Sequence, residues 1–140
     1  MLPSPERVFL ALGSNLGDRA EHLRVARQAL ASLPGTTLLA ASAIEETSPL
    51  GGMQQPPYLH QMVLLETQLT PYELLAASQR IEQREGRVRA ERWGARTLDI
   101  DIVQFGSRQV NEHDLIIPHP ELPNRDFWRR ELAELTSHER

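Results

Sequence analysis

Two carboxylates one residue apart, Asp99 and Asp101, interrupt an apolar stretch of the chain. Side chains on a β-strand alternate between its two faces, so both carboxylates are predicted to point the same way, with Cα atoms about 6.5–7 Å apart. Two negative charges about 6 Å apart repel by roughly 3 kcal/mol at an effective dielectric constant of about 20. The pair therefore requires a neighbouring cation. The opposite face of this strand is predicted to pack on a core and carries Leu98, Ile100 and Ile102.

Arginines precede this strand at high density and are the nearest candidates for that cation. Carboxylates beside arginines suit Mg²⁺ and a polyphosphate, because Mg²⁺ takes one or two carboxylates together with phosphate oxygens. The simpler alternative is an acidic pair at a strand end that surface arginines neutralise. The arginines in question are Arg80, Arg84, Arg87, Arg89, Arg92 and Arg96.

The segment Gly86–Arg96 has the composition of a mobile lid, since Trp93 lies among four arginines. Arginines over a polyphosphate, with a tryptophan that helps to exclude water, suit phosphoryl transfer, which depends on positioning and charge neutralisation. The alternative is an exposed basic loop whose tryptophan packs back on the core.

Other polar and aromatic residues are weaker candidates for a site. Gln79 and Glu82 lie three residues apart on one face of a predicted helix. Glu82 could bind an arginine or a nucleotide hydroxyl, and the alternative is a solvated helix face. His119 lies between two prolines and could donate to a phosphate oxygen, or have a structural role. Tyr58 and Phe127 could stack on a flat ligand, or pack in the core.

The composition excludes several classes of protein. The 140 residues predict one domain, 1–140. A net charge of −4 argues against a general nucleic-acid binder. Cysteine is absent, which excludes disulfides and thiolate sites, and all 15 basic residues are arginine, which excludes Schiff-base chemistry and lysine-dependent P-loops. No apolar run approaches the ~20 residues of a membrane span, and no signal-peptide pattern is present, so the predicted location is cytoplasmic.

Hydrophobic periodicity and capping signals predict elements in the order β-α-β-β-α-β. Asp18 begins one helix and Thr70 begins a second, which ends at Gly86. This order is typical of an α+β ferredoxin-like fold, a mainly antiparallel sheet with both helices on one face. The other face is then left to form a site. Strands are predicted over Val8–Leu12, Thr36–Ser48, Tyr58–Thr67 and around Asp99–Ile102, with a short partner near Gln109–Val110, an irregular loop over Ile117–Asn124 and a last short helix.

Several motifs together resemble those of the 6-hydroxymethyl-7,8-dihydropterin pyrophosphokinase family. They follow the family's order and spacing from about Val8 to Phe127. The most specific is Arg92–Asp101, which reads Arg-Trp-Gly-x-Arg-Thr-Leu-Asp-x-Asp. The others are Gly13–Gly17, Thr47–Gly51, Glu82 with Gly86–Arg89, and Ile117–His119.

The resemblance implies a folate-pathway transferase that moves pyrophosphate from ATP to the hydroxymethyl group of the pterin, leaving AMP. It implies that Asp99 and Asp101 bind two Mg²⁺ ions, and that Arg87 and Arg96 act in catalysis by neutralising charge on the transferring group. By the same likeness, Tyr58 and Phe127 would sandwich the pterin. The implied ATP site comprises Gln79, Glu82, Arg87, Arg89, Arg96, Ile102, His119 and Arg125. The implied pterin site comprises Thr47, Ser48, Leu50, Tyr58, His60, Trp93, Asp99 and Phe127.

Three features depart from the family pattern. His60 stands where the family has asparagine, and a neutral imidazole offers one donor and one acceptor in a geometry unlike that of an amide. Asp114 and Ile116 stand where family members often present polar or basic groups to ATP. The chain also differs from the usual apolar ending after Phe127.

Two other functions fit the same residues. A nucleotidyltransferase would use the acidic pair to attack ATP at the α-phosphorus and would release free pyrophosphate. A non-catalytic nucleotide- or pterin-binding protein would bind its ligand without turnover. In all three cases the expected partners are small molecules, with no nucleic acid and no membrane, and the expected state is a monomer.

Overall fold

The computed structural model describes residues 4–47, 57–86 and 97–137 of the chain. Within these residues, seven strands, three helices and one short 3-10 turn follow one another. The strands are β1 (Glu6–Ser14), β2 (Thr36–Ala41), β3 (Glu45–Thr47), β4 (Tyr58–Thr67), β5 (Asp99–Phe105), β6 (Val110–Glu112) and β7 (Leu115–Ile117). The helices are α1 (Arg19–Ala31), α2 (Pro71–Arg84) and α3 (Asp126–Thr136), and the 3-10 turn is Leu122–Asn124.

The main sheet has the strand order β2-β4-β1-β5, with β3 pairing beyond β2 along the edge of β4. All of these pairs are antiparallel. The first and last strands of the motif thus lie next to each other, as the split β-α-β arrangement requires. The predicted α+β ferredoxin-like fold is confirmed.

Both long helices pack on one face of this sheet, as predicted. The side chain of Asp18 accepts a hydrogen bond from the Glu21 N–H at 3.2 Å and so begins α1. At α2, Thr70 and Glu73 accept from each other's main-chain N–H groups, at 3.2 and 2.8 Å, and complete a capping box. The apolar stripes of the helices share one core with the helix-facing side of the sheet; its members include Leu23, Leu30, Leu74, Ile81, Leu98, Ile100 and Ile102.

The third helix covers part of the opposite face, which the sequence left open. Trp128 and Leu135 of α3 are buried there against Phe9, Met62 and Val103 of the sheet. Because α3 covers one end of this face only, the end that carries Asp99 and Asp101 stays partly accessible. The open face is therefore smaller than predicted.

Two local predictions were wrong in detail. The segment predicted as one strand over Thr36–Ser48 forms two, because β2 ends at Ala41 and β3 begins at Glu45. The segment near Gln109–Val110 does not pair with β5, since β6 forms a separate hairpin with β7. Both differences depend on pairing between distant residues, which local patterns do not fix. The segment after Ile117 is irregular, as predicted, and contains the short 3-10 turn.

Candidate active site

The strand register brings the candidate residues into two adjacent rows on the face that α3 partly covers. In one row, His60 of β4 and Asp99 of β5 are the two neighbours of Gly13 on β1. In the next row, Asp101 is the neighbour of Ala11. The glycine has no side chain, so the His60 and Tyr58 rings lie directly over its backbone, where a Cβ atom would be 3.4–3.6 Å from them. The site is built around this glycine.

Asp99 and Asp101 lie on one face of β5, as predicted, with Ile100 and Ile102 buried on the other. Both acids are half-buried, and the Asp101 side chain is 39% exposed. Within the described residues, no group of three or more His, Asp or Glu side chains could hold a metal ion. Two carboxylates are nevertheless enough for Mg²⁺ that takes its other ligands from phosphates and water. The donor set therefore fits magnesium bound together with a polyphosphate.

His119 is held beside the acidic pair by a bulge in β5. Phe9 pairs with Gln104 and Leu10 pairs with Ile102, so Val103 is the extra residue between them. The Val103 carbonyl accepts a hydrogen bond from the His119 N–H at 2.9 Å.

The imidazole of His119 has a defined orientation. Its Nδ1 accepts from the Glu121 N–H at 3.1 Å, so in the neutral ring the hydrogen is on Nε2. That Nε2 lies 3.7 Å from Asp101 Oδ1. The ring thus presents an N–H donor at the edge of the acidic pair, where an anionic ligand would accept it.

Glu82 connects α2 to the strand that carries the acids. Its side chain is only 3% exposed, and its Oε2 accepts a hydrogen bond from the Ile100 N–H at 2.7 Å. A bond from a buried carboxylate to a main-chain amide is strong and directional. Glu82 therefore fixes the β5 backbone between Asp99 and Asp101, and its predicted contact with ATP stays a prediction.

Three aromatic rings form a stack beside the acidic pair. The His60 ring is parallel to that of Tyr58, with centroids 5.3 Å apart, and lies 4.4 Å from the Phe127 ring at an angle of 33°. Burial lowers the pKa of His60 to about 4, and the positive charge of Arg125 adds to this lowering. The imidazole is therefore neutral at physiological pH.

Trp128 and Arg125 form the wall behind this stack. The indole is 1% exposed, and its ring meets those of His119 and Phe127 edge-on at 4.9 and 6.3 Å. The Arg125 guanidinium carbon lies 4.4 Å from the centre of the indole, a cation–π contact. Through Trp128, α3 contacts both His119 and the aromatic stack.

Of the remaining predicted site residues, one lies beside the aromatic stack, two lie elsewhere in the fold, and the others lie outside the described residues. Thr47 pairs with Tyr58 across β3 and β4, so it lies next to the stack. Gln79 is exposed on α2, and the Ile102 side chain is buried in the core on the helix side of the sheet, away from the face that carries Asp99 and Asp101. Six predicted residues lie outside the described part of the chain: Ser48, Leu50, Arg87, Arg89, Trp93 and Arg96.

Trp128 and Gly13 also line the site, although neither belongs to the implied ATP or pterin sites. The spacing of Trp128 and Leu135 matches one face of a helix, and this is the signal that could have placed the indole against the sheet. For Gly13, a Cβ atom would lie 3.4 Å from His60 Nδ1 and 3.5 Å from Tyr58 Cδ1. A glycine inside a strand is itself a signal of close approach by a ligand or another group.

Comparison with known proteins finds similar chains that share one description. The chain is 42% identical to a 2-amino-4-hydroxy-6-hydroxymethyldihydropteridine pyrophosphokinase of Haemophilus influenzae, over 92% of this chain and 81% of that protein. Proteins with the same description in Bacillus subtilis and Pseudomonas aeruginosa are also 42% identical. They match over 91% and 93% of this chain and over 76% and 80% of their own lengths. In the described residues, no helix is long and apolar enough to cross a membrane.

The fold and the site together define a ferredoxin-like α+β enzyme of the diphosphotransferase class. The family described as 7,8-dihydro-6-hydroxymethylpterin-pyrophosphokinase matches residues 9–137, nearly the whole chain. The chain belongs to this family, and it is a pyrophosphokinase. The resemblance drawn from the sequence motifs is confirmed.

Proposed function

We propose that this enzyme transfers the pyrophosphoryl group of ATP to the hydroxymethyl oxygen of 6-hydroxymethyl-7,8-dihydropterin in folate biosynthesis. The observation that carries the proposal is the juxtaposition of a half-exposed acidic pair with an aromatic stack, separated only by Gly13. The stack suits the flat pterin, and the acids suit magnesium-bound phosphates. The two reacting groups would meet over the glycine.

In this reaction the hydroxymethyl oxygen attacks the β-phosphorus of ATP, and the bond from that phosphorus to the α-phosphate oxygen breaks, so that AMP leaves. Asp99 and Asp101 would hold two Mg²⁺ ions, which when bound neutralise phosphate charge and lower the pKa of the hydroxymethyl group. His119 would donate its Nε2–H to a phosphate oxygen. Such a reaction depends mainly on alignment and on charge neutralisation.

The other proposed contacts complete the two substrate sites. Arg125 and Gln79 would contact ATP, and Arg87, Arg89 and Arg96 would neutralise the transferring group. A guanidinium suits this task because it binds phosphate through two parallel N–H groups and stays charged. We also expect a single-domain monomer in the cytoplasm; gel filtration with light scattering would test the monomer.

The test is incubation of the purified protein with ATP, magnesium and the reduced pterin alcohol, followed by chromatography of the products. AMP and the pterin diphosphate are expected in equal amounts. Free pyrophosphate with an adenylylated pterin would instead identify a nucleotidyltransferase. Binding of both ligands without any product at saturating magnesium would identify a binding protein.

Replacing Gly13 with valine is expected to weaken pterin binding about tenfold or more. The β-branched side chain suits a strand, so the sheet should form. Its Cβ atom would already contact the His60 and Tyr58 rings, and its methyl groups would extend into the space where the pterin is proposed to stack. Overpacking of a filled site typically costs about 1–3 kcal/mol, and about 1.4 kcal/mol is tenfold in affinity. Fluorescence titration with 6-hydroxymethylpterin measures the effect.

Alanine at the same position is the matched control. Its Cβ atom would lie at ordinary contact distance from the His60 and Tyr58 rings, 3.4–3.6 Å, so a smaller loss is expected. An unchanged pterin affinity in a folded Gly13→Val protein would contradict the position assigned to the pterin ring.

A further inference from the structure

The middle ring of the aromatic stack is the imidazole of His60. His60 lies between Tyr58 and Phe127, at centroid distances of 5.3 and 4.4 Å. The distance to Tyr58 falls in the range of favourable aromatic contacts, and the distance to Phe127 lies at its lower edge. A flat ligand sandwiched by the two outer rings would require the space that the imidazole now fills.

The position of the imidazole is closely defined. It lies over the backbone of Gly13, where a Cβ atom would be 3.4 Å from its Nδ1. Because burial keeps the ring uncharged near neutral pH, it can stack as an apolar group. The charged groups that act on it are Arg125 at the start of α3, Glu45 on β3 and Asp101 on β5.

We propose that His60 occupies the pterin slot in the free enzyme and has to leave it when the substrate binds, so that this residue sets the affinity and selectivity for pterin. The inference rests on the proposed function, because it identifies the slot with the pterin site. The protein is then an equilibrium between a closed form, with the imidazole stacked, and an open form. The apparent Kd for pterin is the intrinsic value divided by the open fraction.

A bicyclic pterin can displace the imidazole because it offers a larger stacking surface to both outer rings. A ligand with a single small ring offers no more area than the imidazole and should compete poorly. The displaced side chain has an acceptor within reach, since Glu45 is its direct neighbour in the pairing of β3 with β4. His60 therefore acts as a selectivity filter for the size of the flat ligand.

The first test is the Kd of 6-hydroxymethylpterin, measured by fluorescence titration with magnesium and a non-hydrolysable ATP analogue present. His60→Ala removes the ring and adds no hydrogen-bonding group, so pterin should bind about tenfold more tightly, given the typical strength of aromatic pairs. His60→Asn should also tighten binding. The matched control is His113→Asn, at an exposed histidine in the β6–β7 turn, which should leave the Kd unchanged.

Equal or weaker pterin binding by a folded His60→Ala protein would overturn the proposal, because it would mean that the ring assists binding or does not oppose it. Circular dichroism and thermal unfolding establish that the variants fold.

A second measurement uses the unmodified protein and does not depend on folding of the variants. In the free protein, ring currents from Tyr58 and Phe127 should shift the imidazole proton resonances of His60 upfield. Saturation with 6-hydroxymethylpterin should move them back toward unstacked positions. Resonances that keep their shifts in the saturated complex would overturn the proposal.

The two proposals fail in different ways. If the wild-type protein neither binds pterin nor forms AMP, the proposed function fails, whatever the histidine resonances show. If it forms AMP but His60→Ala binds pterin no more tightly, only the role of His60 fails.

Discussion

Replacing Asp101 or Asp99 with asparagine is expected to lower turnover by about a thousandfold while the protein stays folded. Each substitution removes a charged oxygen ligand and keeps the size of the side chain. Metal ions stabilise transition-state charge by several kcal/mol, and each ~1.4 kcal/mol changes the rate tenfold. The rate of AMP formation at saturating substrates measures the loss. Both variants should also need a higher magnesium concentration to reach half of their maximal rate of AMP formation.

The matched control for this prediction is Glu66→Gln. Glu66 lies at the far end of β4, where it pairs with Arg7 on β1, and its side chain is 38% exposed, against 39% for Asp101. The control should retain full activity. AMP formation within tenfold of wild type by either variant would contradict the metal-binding role.

Replacing Glu131 with glutamine is expected to stabilise the protein near neutral pH by on the order of 2–4 kcal/mol. Glu131 of α3 is 2% exposed and faces Glu45 of β3. Among the described residues, no hydrogen-bond donor reaches either of its carboxylate oxygens or Oε2 of Glu45. A proton on Glu131 supplies the missing donor. Burial, followed by the hydrogen bond to Glu45 and the charge of Glu45, raises the pKa of Glu131 to about 9.

The sign of the pH dependence follows from this shift. Between the ordinary pKa of 4.5 and about 9, the unfolded chain loses the Glu131 proton and the folded protein keeps it. The free energy of unfolding therefore falls as pH rises, by up to about 1.4 kcal/mol per pH unit. The pKa of Glu45 is lowered, chiefly by its bond to Glu131, so the stability that Glu45 contributes is lost only as pH falls below 4.5.

Urea unfolding of the wild type and Glu131→Gln between about pH 5 and pH 8 tests this prediction. The glutamine amide can donate to Glu45 and does not titrate, so the difference in unfolding free energy should widen steadily with pH. Glu134→Gln is the control, because Glu134 is exposed on the same helix and accepts from the Ala43 N–H. Its curve should run parallel to that of the wild type. Parallel curves for Glu131→Gln as well would contradict the shared proton.

Much of the fold follows from short-range features of the sequence. The capping residues Asp18 and Thr70 begin helices where predicted, and Glu85 and Gly86 end the second one. Alternation along β4 and β5 separates residues that face the helices from residues that face the site. These features are predictable because each depends on residues within four or five positions of one another.

The motifs also identified the family, because Arg92–Asp101 concentrates acids, arginines and an aromatic residue at fixed spacing. What the motifs could not give is the arrangement of residues far apart in the chain. Nothing local indicates that the β6 segment pairs with β7, or that Trp128 rather than Phe127 fills the core under α3.

The sequence by itself determined the direction of Asp99 and Asp101, since a two-residue period places their side chains on one face of any strand. The tertiary structure alone decided what surrounds them. Pairing across β4, β1 and β5 sets His60 beside Gly13, and docking of α3 brings Phe127 against that imidazole and Glu131 against Glu45. Such contacts join residues dozens of positions apart, and they arise only when the whole sheet and its helices pack together.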